Sequence, residues 1–268
     1  MRPCGRYAVC ERVLRQGSFA ADVALAATAG ISAIGVDAAA IDVIGVDEAV
    51  QILGGEGVRV SSYMGLEDIL REGSPASLDE AAQRLDVAAR LGAPAALVAT
   101  GPLGRVTPTI ADATCRDWLA RAAPLAAERG VQIMLEPMHP LMRRWSFVHT
   151  MQHGLTMVDG IDGAGVVLDL GHVWWEHRLD VLIREHVSEI VSVQVTDIDS
   201  AALDEVRYER ATLGSGDVPV ASLVALLESS GYRGWYEDET IVRTPRDRRL
   251  ATLRASRAWF ETLGSADG

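Results

Sequence analysis

Short β-branched apolar runs alternate with longer Ala- and Leu-rich stretches of helical period along the whole chain, about one pair every 33 residues. The predicted strands are Arg6–Cys10, Ala33–Asp37, Val58–Tyr63, Ala95–Thr100, Val131–Glu136, Gly165–Asp169, Ile190–Val195 and Gly234–Glu239. The predicted helices are Phe19–Thr28, Val46–Leu53, Leu78–Leu91, Ile110–Arg129, Phe147–Val158, Val173–Glu185, Val220–Ser229 and Asp247–Leu263. Strand–helix alternation requires a parallel sheet with crossover helices. Eight units favour a closed (β/α)₈ TIM barrel over an open sheet. No Pro/Gly/Ser-rich linker or low-complexity tract divides the sequence, so a single domain over 1–268 is expected. The longest connections, Gly101–Thr109, Pro137–Ser146 and Thr196–Asp217, all follow strands, which places them on the face where barrels carry their chemistry.

Charge and composition remove several function classes. Lys+Arg 25 against Asp+Glu 37 leaves a net charge of −12, a field that repels phosphate backbones and acidic lipid. No apolar run approaches the ~20 residues of a membrane span. Glu11 and Arg12 interrupt the stretch a signal peptide keeps apolar. Cys4, Cys10 and Cys115 form neither an even disulfide framework nor a close metal pair, which fits a reducing, cytoplasmic setting.

The strand ends carry the chemistry. Val131-Gln-Ile-Met-Leu-Glu136 and Gly165-Val-Val-Leu-Asp169 both stop on carboxylates, Ile190-Val-Ser-Val-Gln194 on an amide, and Gly234-Trp-Tyr-Glu-Asp-Glu239 on another carboxylate. Four successive strands thus deliver Glu136, Asp169, Gln194 and Glu239 to one rim. Three converging carboxylates repel one another unless a cation or shared protons compensate. With oxygen donors alone, Mn²⁺ or Mg²⁺ is expected rather than Zn²⁺.

These segments resemble the xylose-isomerase-like sugar isomerase/epimerase superfamily of TIM barrels. That group includes ketose 3-epimerases, hydroxypyruvate isomerase, inosose dehydratase and the catalytic subunits of C-glycoside deglycosidases. The likeness rests on Leu135-Glu-Pro-Met-His-Pro140, Leu168-Asp-Leu-Gly-His-Val-Trp-Trp-Glu176, Val193-Gln-Val-Thr-Asp197, Leu213-Gly-Ser-Gly-Asp-Val-Pro219 and Gly231-Tyr-Arg-Gly-Trp-Tyr-Glu-Asp-Glu239. Residues 1–130 match only in rhythm. The resemblance implies that Glu136, Asp169, Gln194 and Glu239 bind one divalent metal. Many members have His where this chain has Gln194, and hydroxypyruvate-isomerase-like members have Gln. It also implies substrate-binding roles for His172 and Arg210.

Glu136 and Glu239 end the fifth and eighth strands, so their carboxylates reach the centre from nearly opposite sides. A metal polarises a carbonyl and stabilises an enediolate, while one glutamate removes a proton and the other returns it. Return to the opposite face gives epimerisation, return to the next carbon isomerisation, and loss of a β-substituent elimination. The expected function is therefore a metal-dependent isomerase or epimerase of a small sugar or keto-polyol. A lyase on the same scaffold, of the inosose-dehydratase or C-glycoside-deglycosidase type, is the alternative.

Several neighbours have assigned expectations. Arg210 offers a cationic fork to a substrate oxygen. Glu237, on the same strand face as Glu239, is expected behind the ligands. Trp145, Trp174 and Trp175 sit in or beside catalytic-face loops. Trp145 is expected to wall the substrate pocket and at least one of Trp174 and Trp175 to pack between helices. His139, between prolines, reads as part of a rigid turn, and Gly214-Ser-Gly216 weakly resembles a phosphate-cradling loop. A catalytically inactive barrel is disfavoured because every ligand position carries a side chain able to bind. A repair enzyme of the endonuclease IV type needs three zinc ions and several histidines, and the acidity of this chain opposes DNA. The expected partner is a small carbohydrate or keto-polyol, with a homo-oligomer or small partner subunit compatible and neither nucleic acid nor membrane involved.

Overall fold

The computed structural model describes residues 3–71, 74–240 and 245–263. Eight strands form the sheet: β1 (Tyr7–Cys10), β2 (Ala33–Asp37), β3 (Arg59–Leu66), β4 (Ala95–Val98), β5 (Gln132–Leu135), β6 (Ala164–Asp169), β7 (Ile190–Val195) and β8 (Tyr236–Asp238). Each pairs in parallel with its neighbours, and the ring closes where Tyr7, Ala8 and Val9 of β1 lie opposite Tyr236, Glu237 and Asp238 of β8. All eight expected strands are present and the expected (β/α)₈ barrel is the fold.

The outer layer holds α1 (Phe19–Thr28), α2 (Val46–Glu56), α3 (Leu78–Arg90), α4 (Pro108–Ala127), α5 (Met151–Val158), α6 (Leu179–Glu185), α7 (Val220–Ser230) and α8 (Arg249–Leu263). Local chemistry sets their ends. Ser18 and Ser77 accept hydrogen bonds from Ala21 and Glu80 at the starts of α1 and α3, and Gly57 and Gly231 end α2 and α7 at positive φ. The helix expected from Phe147 begins at Met151, because Thr150 caps it through His153 N–H. The expected Val173–Glu185 helix is two pieces. Asp169 accepts from Gly171 N–H and starts a short turn at Leu170–Val173, and Arg178 at φ 65 separates that turn from α6. Among the described residues, no helix is long and apolar enough to cross a membrane.

Two apolar layers follow from the period-2 alternation of the strands. Outward residues such as Val9, Ile34, Val98, Ile133, Leu168 and Val193 pack under the helices. Inside, Cys10, Met64, Ala95, Leu97, Met134 and Val167 plug the barrel. Above this plug the interior turns polar.

One irregularity shapes that polar layer. The β2–β3 register pairs Ile34 with Val60 but Gly35 with Ser62, so β3 carries an extra residue there. Ser61 and Ser62 consequently both donate to Glu237 Oε2, at 2.7 and 2.8 Å. Gly35 faces the same carboxylate, and a Cβ there would fall 2.3 and 2.4 Å from its oxygens. Gly35→Ala is therefore expected to cost about 1–3 kcal/mol, the range of overpacked cores. Urea denaturation measures it; unchanged stability would mean that Glu237 moves freely.

Candidate metal and substrate site

The rim expected from the strand ends exists. Glu136 directly follows β5, Asp169 closes β6, Gln194 lies near the end of β7 and Glu239 directly follows β8. Main-chain bonds hold the two outer members in register: Glu136 N–H donates to Val98 and Glu239 N–H to Val195. In the ladder Asp169 stands opposite Gln194, and Gln194 opposite Glu237. All four rim residues are buried, the most open being Glu239 at 6% exposure.

Arg210 and His172 complete the centre. The Arg210 Nη2 lies 3.5 Å from Asp169 Oδ2 and 3.3 Å from Glu239 Oε2, while Nη1 donates to the Glu239 carbonyl. His172 Nε2 lies 3.5 Å from Asp169 Oδ2 and 3.8 Å from Glu136 Oε1. Atoms of Glu136, Asp169 and His172 fall within 4.8 Å of one another, a spacing that can hold a metal ion.

Burial and neighbouring charges shift the acids of this cluster. Burial, followed by the charges of Glu239 and Asp169, pushes the Glu136 carboxyl well above the ordinary range. Burial also raises Asp169, against the opposing pull of Arg210 and the Gly171 amide. Burial opposes the Arg210 charge too, but Glu239, Tyr208 and Asp169 outweigh it and hold the guanidinium firmly protonated. His172 is pushed down to about 3 by burial and by Arg210, so it is neutral at ordinary pH.

The amide is the informative member. Gln194 stands opposite Glu237, a carboxylate that accepts from both serines through Oε2, and Gln194 Oε1 is buried without a hydrogen-bond partner. An unsatisfied buried acceptor beside three carboxylates fits a divalent cation, since all four donors are hard oxygens.

Arg210 stands on a hairpin whose strands, Asp197–Ile198 and Arg210–Ala211, pair antiparallel. Asp197 pins it: its carboxylate accepts from the backbone amides of Ile198, Gly214, Gly216 and Val218 at 2.9–3.0 Å. The Gly214-Ser-Gly216 segment therefore differs from the phosphate cradle its glycines resemble. Its amides serve an internal carboxylate.

An aromatic wall lines one side. The His172 ring packs 5.2 Å from Tyr208, which packs 5.3 Å from His139, and His139 meets Trp175 edge-on at 5.9 Å. His139 also caps its own turn by accepting from Leu141 N–H, as a rigid turn requires. Trp174 packs against the core, as expected of one of the pair. Trp145 stands apart, 40% exposed, with the Arg144 guanidinium 4.9 Å from its ring.

A family model described as xylose isomerase-like TIM barrel matches residues 23–263. The chain belongs to that family. Comparison with curated proteins gives no match. Among solved structures, protein SMc04130 from Sinorhizobium meliloti 1021 is 23% identical, with TM-score 0.85 over 95% of this chain and 98% of its own. D-psicose 3-epimerase from Clostridium cellulolyticum H10, solved with D-tagatose, is 15% identical, with TM-score 0.80 over 96% and 99%. The IolI protein, solved with a zinc atom, is 14% identical, with TM-score 0.80 over 95% and 97%. At these identities the likeness is one of fold.

Sequence reasoning missed Tyr208, Ser61 and Ser62. Tyr208 had a signal, since it lies two residues from Arg210 and so shares its side in extended chain. The serines had none, because only the bulge aims both inward.

A pH dependence follows for the metal-free protein. The folded pKa of Glu136 exceeds the unfolded value of about 4.3, so its contribution is fully present below that pH and lost as pH rises through the folded value. Glu136→Gln removes the titration. The stability of this variant relative to the native protein should increase as pH rises above the ordinary glutamate range in chelator-treated samples. A pH-independent difference in urea midpoints would contradict the assignment.

Proposed function

We propose that the protein is a divalent-metal-dependent isomerase or epimerase of a small sugar or keto-polyol, in which Glu136 and Glu239 divide the proton transfer. The observation that carries this reading is the unsatisfied Gln194 Oε1 set among three buried carboxylates with one guanidinium between them. Glu136, Asp169, Gln194 and Glu239 would hold the ion. When bound, Mn²⁺ or Mg²⁺ supplies positive charge to a carbonyl oxygen of the substrate. The oxygen-only set favours these hard ions. Zinc, present in the IolI relative, is the ion that recruitment of the His172 nitrogen would select.

The chain's own residues do the rest. Arg210 presents N–H groups toward the gap between Asp169 and Glu239, where a substrate hydroxyl or developing oxyanion can take them. Asp197 keeps that guanidinium in place through its hairpin. Neutral His172 can hydrogen-bond a substrate oxygen without protonating it. Glu136 on one face can return a proton to carbon, while Glu239 removes one from the other face. The apolar plug of Cys10, Met64 and Met134 excludes water from below. The D-psicose 3-epimerase relative acts on sugars by its name and shares the barrel over nearly its full length. Departure of a β-substituent after the same proton removal would make the enzyme a lyase, and product mass separates the two.

Glu136→Gln and Glu239→Gln should each lower turnover by at least ~10²-fold while retaining metal, because an amide keeps an oxygen donor but is no base. Solvent deuterium should enter the substrate carbon beside the carbonyl. Full activity in both variants would end the paired-glutamate account. Asp169→Ala should remove the ion from a folded protein, as read by elemental analysis and circular dichroism. Unchanged metal content would move the site elsewhere.

A further inference from the structure

The opposite pole of the barrel holds a second pocket, of about 360 Å³, where the parallel strands begin. Arg6 precedes β1, Arg59 opens β3, Gln132 opens β5, and Arg233 and Trp235 lead into β8. Three arginines line it and no carboxylate does, in a chain of net charge −12.

Two of the three arginines have no carboxylate partner among the described residues. Arg6 is 6% exposed and bound by Glu228 through both carboxylate oxygens, yet its Nε is buried with no partner. Arg59 makes no ion pair among the described residues; its guanidinium lies 5.0 Å from the centre of the Trp235 ring. Arg233 donates to the Tyr232 carbonyl at 2.7 Å and makes no ion pair among the described residues. An arginine stacked on an aromatic face keeps its in-plane N–H fork free for an oxyanion. Pro94, Val191 and the indole supply an apolar wall beside those forks. The pocket also borders Ser61, whose Oγ donates to Glu237 beneath Gln194.

We propose that this pocket binds a small organic phosphate, its phosphoryl oxygens taken by Arg59 and Arg233 and its organic body laid against Trp235. Arginine forks match phosphate geometry with two parallel N–H···O bonds, and a volume in the hundreds of Å³ admits a small organic body beside the phosphoryl group.

Phenyl phosphate and inorganic phosphate serve as probes, titrated by calorimetry into the full-length protein against sodium chloride at equal ionic strength. Phenyl phosphate should bind more tightly than inorganic phosphate. The double variant Arg59→Gln/Arg233→Gln should weaken it about tenfold or more, with an unchanged circular dichroism spectrum and unchanged turnover, since both side chains are exposed and far from the rim. Arg210→Gln should leave the binding intact, which separates this pocket from the rim. Trp235→Leu should remove the preference for the phenyl ester while keeping inorganic phosphate. Absence of binding beyond the chloride control would overturn the proposal. So would binding that survives the double variant and disappears with Arg210→Gln.

Discussion

Three carboxylates, Glu136, Asp169 and Glu239, are buried together at the end of the barrel, and in a medium of reduced dielectric their repulsion far exceeds its value in water. The surrounding architecture is arranged around that cost. Arg210 reaches between two of them, and the hairpin that carries it is fixed by four amides on Asp197. His172 stays neutral and adds no charge of its own. Glu237, opposite Gln194 in the ladder, is itself held by two serines. One guanidinium stands among three buried carboxyl groups, and burial raises the pKa of Glu136 and Asp169.

Much of this was legible from residue order because the determining signals are local. An apolar run ending on an acid, repeated in successive strands, needs only the geometry of a parallel barrel to place the acids at one rim. The eight strands are found within a few residues of their expected positions for the same reason. Other features depend on contacts distant in sequence. The serine pair requires the β3 bulge against Gly35, and the Gly214–Gly216 turn takes its meaning from a carboxylate 17 and 19 residues earlier. The break inside the expected Val173–Glu185 helix arises because Asp169 both ends a strand and caps the turn after it. Periodicity alone reads through such a residue.

The two poles of the barrel carry different side chains: Glu136, Asp169 and His172 meet where the strands end, and Arg6, Arg59 and Arg233 line the pocket where they begin. The Cys10–Met64–Met134 plug lies between them as an apolar septum. Ser61 crosses it, bordering the lower pocket while bonding the carboxylate of the upper layer.

The seam between β1 and β8 has a consequence for how the protein comes into being. Tyr7 meets Tyr236 across more than two hundred residues of sequence, the kind of contact that forms late because its loop-closure entropy is large. Glu239 rides on that closing strand. A nascent chain with seven strands assembled has Glu136, Asp169 and Gln194 in register but neither the last carboxylate nor the Arg6–Glu228 clasp beside it. The cluster of rim residues is thus completed only when β8 closes the ring.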